Sequence, residues 1–174
     1  VVLLLEHSSE ALILSMPRWE KRAVDESMSE KVVRGPKEGF VEAITVNITL
    51  IRRRIQDPKL KVKIFELGKR SKTKVAILYI EDIAKGEIVA EVEKRIEAID
   101  IDLIHDSSTV EAFIEDNPFS IFPQALPTER PDKVATNLAE GRIAIITDGS
   151  PSALIVPVTL ATIFQSPEDY YERF

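Results

Sequence analysis

The chain has 174 residues, 44% hydrophobic and 30% charged, the balance of a single soluble domain able to bury one good core. A formal net charge of −6 argues against a general nucleic-acid binder, whose domain would be basic. The absence of cysteine excludes disulfides and thiolate chemistry and removes the commonest ligand of structural zinc.

Val1–Leu5 and Ala11–Ser15 are short apolar runs joined by His7-Ser8-Ser9-Glu10, a pattern that predicts a hairpin. The opening run is stopped by Glu6 and lacks the basic flank of a signal peptide. A chain that opens inside a strand is expected to be part of a longer protein. Residues 17–31 are charged and aperiodic and read as an exposed connection, so that 1–33 forms a small appendage to the domain. Gly35-Pro36 then makes a corner. Beyond it Phe40, Ile44, Ile48, Ile51 and Ile55 mark one face of a helix over about 38–56. The helix closes on Arg52-Arg53-Arg54, where the negative end of its dipole favours cations, and stops at Asp57-Pro58.

Lys61–Leu67 alternates imperfectly, and Val75–Glu81 is a continuous β-rich run suited to a buried central strand, with 68–74 as the loop between them. Gly86–Ala98 puts Ile88, Val89, Val92 and Ile96 on one helical face, and Ile101–Ile104 reads as the next strand. Strand, helix and strand within about 30 residues predict a βαβ unit. Ser107 or Ser108 caps a further helix ending at Ile114, and the prolines at 118, 123 and 127 give 119–130 extended or edge-strand character. Pro131-Asp132 starts another helix that Gly141 closes. Asp148-Gly149 between two apolar runs predicts a C-terminal hairpin, and Ser166-Pro167-Glu168-Asp169 a last helix start. The expected fold is α/β: a mixed sheet with a βαβ core and flanking helices, plus a C-terminal β-hairpin, in one domain over 1–174. The longest apolar-leaning run, Ala153–Phe164, is interrupted by Pro157 and is short of the roughly 20 residues that span a bilayer.

Chemistry is sparse. Of the two histidines, His105 neighbours Asp106, but adjacent strand residues point to opposite faces and do not make a catalytic pair. No serine lies in a nucleophile-elbow context and no Gly-rich phosphate loop is present. Asp100, Asp102 and Asp106 lack the spacing of a calcium loop and read as capping and solvated groups. No catalytic residue, metal ligand or cofactor is assigned. Two basic clusters, Arg52-Arg53-Arg54 and the loop holding Lys69 and Arg70, are candidates for binding phosphate, an acidic partner or an anionic membrane surface. Arg34 and Lys37 flank the Gly35-Pro36 corner at a helix start, where an anion could sit. Glu129 and Arg130 are candidates for a buried ion pair or an intersubunit contact.

The segments RGPKEGF, LIRRRIQDP, GKRSKTKVAILYIE, IEDNPFSIFP, TERPDKVATNLAEGRIAIITDGSP and FQSPEDYYERF stand in this order from residue 34 to 174. Together they resemble the GerA family, the A subunits of the nutrient germinant receptors of spore-forming bacteria, in the soluble N-terminal domain of that subunit. The resemblance implies a non-enzymatic receptor domain working in assembly and signal relay during spore germination, with the Ser166–Phe174 helix start as the link to a membrane helix beyond it. It implies partnership with B and C subunits, self-association, and a place at the spore inner membrane on the core side. Direct binding of a small nutrient, whether amino acid, sugar or nucleoside, is the alternative. A cleft with converging polar groups would favour it.

Overall fold

The computed structural model describes residues 2–4, 11–13, 30, 37–116 and 123–158. Strands β1 (Val2–Leu4) and β2 (Ala11–Ile13) pair antiparallel as the expected N-terminal hairpin. The remaining elements are α1 (Ile44–Arg54), β3 (Leu60–Leu67), β4 (Thr73–Ile80), α2 (Gly86–Glu97), α3 (Ser107–Ile114), β5 (Leu126–Thr128), α4 (Pro131–Ala139), β6 (Ile143–Thr147) and β7 (Ala153–Val156). The five strands β3 to β7 form one sheet in the order β3-β4-β6-β7-β5.

Helices cover both faces of this sheet. On one face α1 and α4 place Ile44, Ile51, Val134 and Leu138 against Ala76, Leu78, Ala144, Ile146 and Ile155. On the other, α2 and α3 place Val92, Ile96 and Val110 against Val75, Ile77, Ile145 and Leu154. A strand buried on both sides needs apolar residues at every position, and this is why β6 (IAIIT) and β7 (ALIV) are buried throughout. β3, at the sheet edge, keeps charged residues facing solvent. β5 carries Pro127 on the opposite edge, where the missing amide costs no ladder bond.

The α/β class, the flanking helices and the C-terminal hairpin of β6 and β7 are as expected. The βαβ unit is not: every strand pairing among the described residues is antiparallel, and Ile101–Ile104 forms no strand. The physical reason lies in the β3–β4 turn. Its amides take the carbonyls of 101 and 102, with Lys69 N–H donating to Ile101 at 3.0 Å and Arg70 N–H to Asp102 at 2.9 Å. Ile104 N–H in turn donates to the Ser71 hydroxyl and its carbonyl accepts from Thr73. With these backbone groups bonded to the turn, the segment is drawn away from the sheet. β4 is joined instead by β6.

Helix α1 also starts later than periodicity predicts. Residues 40–43 are held out of the helix by the rest of the fold: Phe40 N–H donates to the Glu129 carbonyl, and the Asn47 side chain both accepts from Val41 N–H and donates to its carbonyl. The Asp148 carboxylate then accepts from Ile44 N–H at 3.0 Å, 104 positions away in sequence. Asn47 is therefore fully buried on a face where spacing alone puts Ile48. Asp106, not a serine, caps α3 by accepting from Thr109 N–H. At the end of α4, Gly141 has φ +86°, and a Cβ there would come within 2.9 Å of the Ile83 carbonyl oxygen, so the turn admits only glycine without rearrangement.

Candidate functional site

The two basic clusters sit at opposite ends of β3, whose length separates them by roughly 24 Å at about 3.4 Å per residue. At the end of α1, Arg54 is mostly buried and its guanidinium donates to Glu38 at 3.2 Å. Arg53 reaches the same carboxylate only at 3.6 Å and keeps 65% of its side chain exposed. Arg52 is exposed and borders a hollow of about 390 Å³ with Ile55, Gln56, Asp57, Pro58 and Leu60. The result is a cationic helix end beside a shallow, partly apolar depression.

The second cluster is partly paired with its own neighbours. Lys69 pairs with Asp100 at 2.6 Å and Arg70 with Asp102 at 3.9 Å. The aspartates that the sequence offers as loose acids are thus the counter-ions of this loop. Arg130 is nearly buried, and its Nε and Nη2 donate to the two oxygens of Asp132. This pair joins the start of α4 to the turn that precedes it. Beside it, Glu30 accepts from the Thr128 hydroxyl at 2.6 Å and from Lys133 at 3.1 Å, fastening residue 30 to α4 and β5. Glu129 is half-buried and its carbonyl holds Phe40, and Lys37 is exposed. Arg34 and the Ser166–Phe174 helix start lie outside the described residues.

A further concavity was not foreseen from the sequence. It is a groove of about 550 Å³ between α2, the end of α3 and the β7 end of the sheet. Ile88, Val92, Ile114, Ala125 and Val156 give it an apolar floor. Glu87, Glu91, Glu115 and Asp116 stand around it with a single cation, Arg95. Each guanidinium nitrogen has a partner: Nε donates to Glu91 at 2.8 Å, Nη1 to the Ile114 carbonyl at 2.7 Å, and Nη2 pairs with Asp116. The Glu91 bond and then the Asp116 bond hold its pKa above the ordinary arginine value. Nearby on α3, burial and then the charge of Glu115 raise the Glu111 carboxyl. Helical spacing of Ile88 and Val92 reveals an apolar stripe, but not that the stripe is left partly uncovered.

The remaining polar groups serve the fold. Asp106 accepts from the Ser108 hydroxyl and from the amide and hydroxyl of Thr109, so its carboxylate is not turned to His105. The hydroxyl contacts and the Thr109 amide hold its pKa below the usual aspartate value. Ser107, Ser150 and Ser152 bond one another at 2.7 to 3.1 Å where α3 begins over the β6–β7 turn. Among the described residues there is no cluster of three or more His, Cys, Asp or Glu able to hold a metal, and no helix is long and apolar enough to cross a membrane.

The family described as Bacillus/Clostridium GerA spore germination protein matches residues 1–174. Spore germination protein GerLA of Bacillus cereus is 45% identical over 173 residues, covering 99% of this chain and 35% of that protein. Spore germination protein B1 of Bacillus subtilis is 51% identical over 153 residues, covering 88% of this chain and 32% of that protein. The chain therefore spans about a third of the length of the curated relatives it matches. Among solved structures, the crystal structure of the N-terminal domain of the A subunit of the Bacillus megaterium spore germinant receptor GerK3 is similar with a TM-score of 0.57 and 41% identity. That match covers 70% of this chain and 97% of that one.

Proposed function

This chain belongs to the GerA family of spore germination proteins, and from that premise we propose that it is a non-enzymatic domain of a germinant receptor A subunit, acting in receptor assembly and signal relay. Its partners in this reading are the other receptor subunits, B and C, and further copies of itself. Its place is the spore inner membrane, on the core side, held there by segments beyond this chain. The observation that carries the reading is the cationic end of α1. Arg52 and Arg53 project from a rigid helix anchored by Asn47, Asp148 and buried Ile51, and no close carboxylate neutralises Arg52 among the described residues. An exposed pair of arginines on a helix end beside a partly apolar hollow suits an acidic partner surface, because the helix has already fixed the backbone and only side-chain freedom is lost on docking. The Lys69–Arg70 loop, where Lys69 pairs closely with Asp100 and Arg70 loosely with Asp102, suits this role less.

The test is charge reversal at Arg52 and Arg53 in the full-length subunit, followed by co-purification of the receptor subunits from spore membranes. The expected result is roughly a tenfold loss of co-purification with the domain still folded, about what two rim charges supply. Unchanged co-purification would overturn the reading. Loss of binding to anionic vesicles with subunit contacts intact would instead make the patch a lipid contact.

A further inference from the structure

We propose that the groove between α2, α3 and β7 binds a small organic cation with an aliphatic body, an inference that rests on the alternative reading of this domain as a direct small-molecule binder. Its volume of about 550 Å³ is that of a small-molecule site, and its floor of Ile88, Val92, Ala125 and Val156 selects an apolar body. The charge of the ligand follows from the rim. Four carboxylates face one guanidinium, and that guanidinium is already bonded to two of them and to a backbone carbonyl. Three of the five N–H donors of Arg95 are thus already taken. Glu87 and Glu115 have no cationic partner among the described residues and leave the mouth of the groove negative.

The environment of Glu111 agrees with this sign, since its carboxyl is shifted toward the neutral form in part by the charge of Glu115. A ligand ammonium at the mouth would relieve that repulsion while its aliphatic body covers the floor. An anion of the same shape would meet the uncompensated carboxylates instead. A neutral molecule would gain the floor alone.

The experiment is a heteronuclear NMR titration of the labelled 174-residue chain at low salt with n-hexylammonium, 1-hexanol and hexanoate. Saturable shifts from n-hexylammonium are expected at the amides of Val92, Ala125 and Val156, with 1-hexanol binding about tenfold more weakly and hexanoate more weakly still. Glu87→Gln and Glu115→Gln should each weaken n-hexylammonium roughly threefold, while Asp100→Asn, outside the groove and paired with Lys69, leaves it unchanged. Equal binding of 1-hexanol, or indifference to both glutamate substitutions, would overturn the cationic assignment while leaving a small-molecule site. Saturation by none of the three at tens of millimolar would overturn the small-molecule reading as well. The assembly reading, tested by co-purification, is untouched by either result.

Discussion

The two helical layers lie on one sheet and bury comparable sets of aliphatic side chains, yet they finish their surfaces differently. The α1/α4 layer is closed by polar bonds between residues far apart in sequence: Asp148 to Ile44, Glu30 to Thr128 and Lys133, Glu129 to Phe40. Its surplus charge is positive and stands at the end of α1. The α2/α3 layer has its own distant bonds, Ser107 to Ser150 and Ser152 and Ile104 to Ser71 and Thr73, while Arg95 bridges α2 to the end of α3, and it leaves a groove with a negative rim. Polar latches thus tie both layers to the sheet. The layers differ in the sign of the charge they present and in the groove that only the second one borders.

The sharpest way to break this contrast is to truncate one aliphatic side chain in each layer. Leu138→Ala, fully buried under the α1/α4 layer, should cost about 2–5 kcal/mol in urea denaturation, whereas Ile88→Ala on the groove floor should cost less than about 1 kcal/mol, because its side chain already faces open space. Equal losses would mean that the groove is as tightly packed as the opposite layer.

Asn47→Ala comes next. It leaves Val41 N–H and C=O without their partner in a buried setting, for about 1–3 kcal/mol, and should free the amides of 40–43 to hydrogen exchange before those of α4. Asp106→Ala, which removes the cap of α3, should cost about 1 kcal/mol and loosen only the groove side.

Acid titration separates two carboxyls of that side by sign. Asp106 has a folded pKa below its ordinary value of 3.8, so its contribution is complete above that value and is lost as pH falls through the folded pKa. Glu111 is shifted the other way: protonation favours the fold, and the stability it adds in acid is lost as pH rises through a folded pKa above 4.5. Asp106→Asn should therefore flatten the acid limb of the stability profile, while Glu111→Gln should remove a small opposing slope and slightly stabilise the chain at neutral pH. Matching slopes for the two variants would contradict the assignments.

Much of this organisation was legible in the residues, because local signals agreed with the fold. Asp148-Gly149 marked the hairpin, Pro131 and Gly141 bracketed α4, and the unbroken apolar run of β4 announced a strand covered on both faces. The errors arose where distant groups decided local structure. Ile101–Ile104 has strand composition, but the Lys69–Ser71 turn takes its carbonyls. Residues 40–43 continue a helical spacing, but Asn47 and Glu129 hold them out of the helix. The basic residues were recognisable as a class, whereas the pairing of Lys69 with Asp100 and of Arg70 with Asp102 depends on the chain folding back across some 30 positions. The groove had no sequence signature at all, since it is defined by where α2 and α3 stop covering the sheet.

The central claim is that the cationic end of α1, where Arg52 has no ion pair among the described residues, and not the β3–β4 turn, where Lys69 is closely paired with Asp100, makes the partner surface. Arg52→Glu with Arg53→Glu, set beside Lys69→Glu with Arg70→Glu in full-length subunits, tests it by co-purification of receptor subunits from spore membranes. The account predicts roughly a tenfold loss for the first pair and little change for the second. Loss confined to the second pair, or to neither, would contradict it.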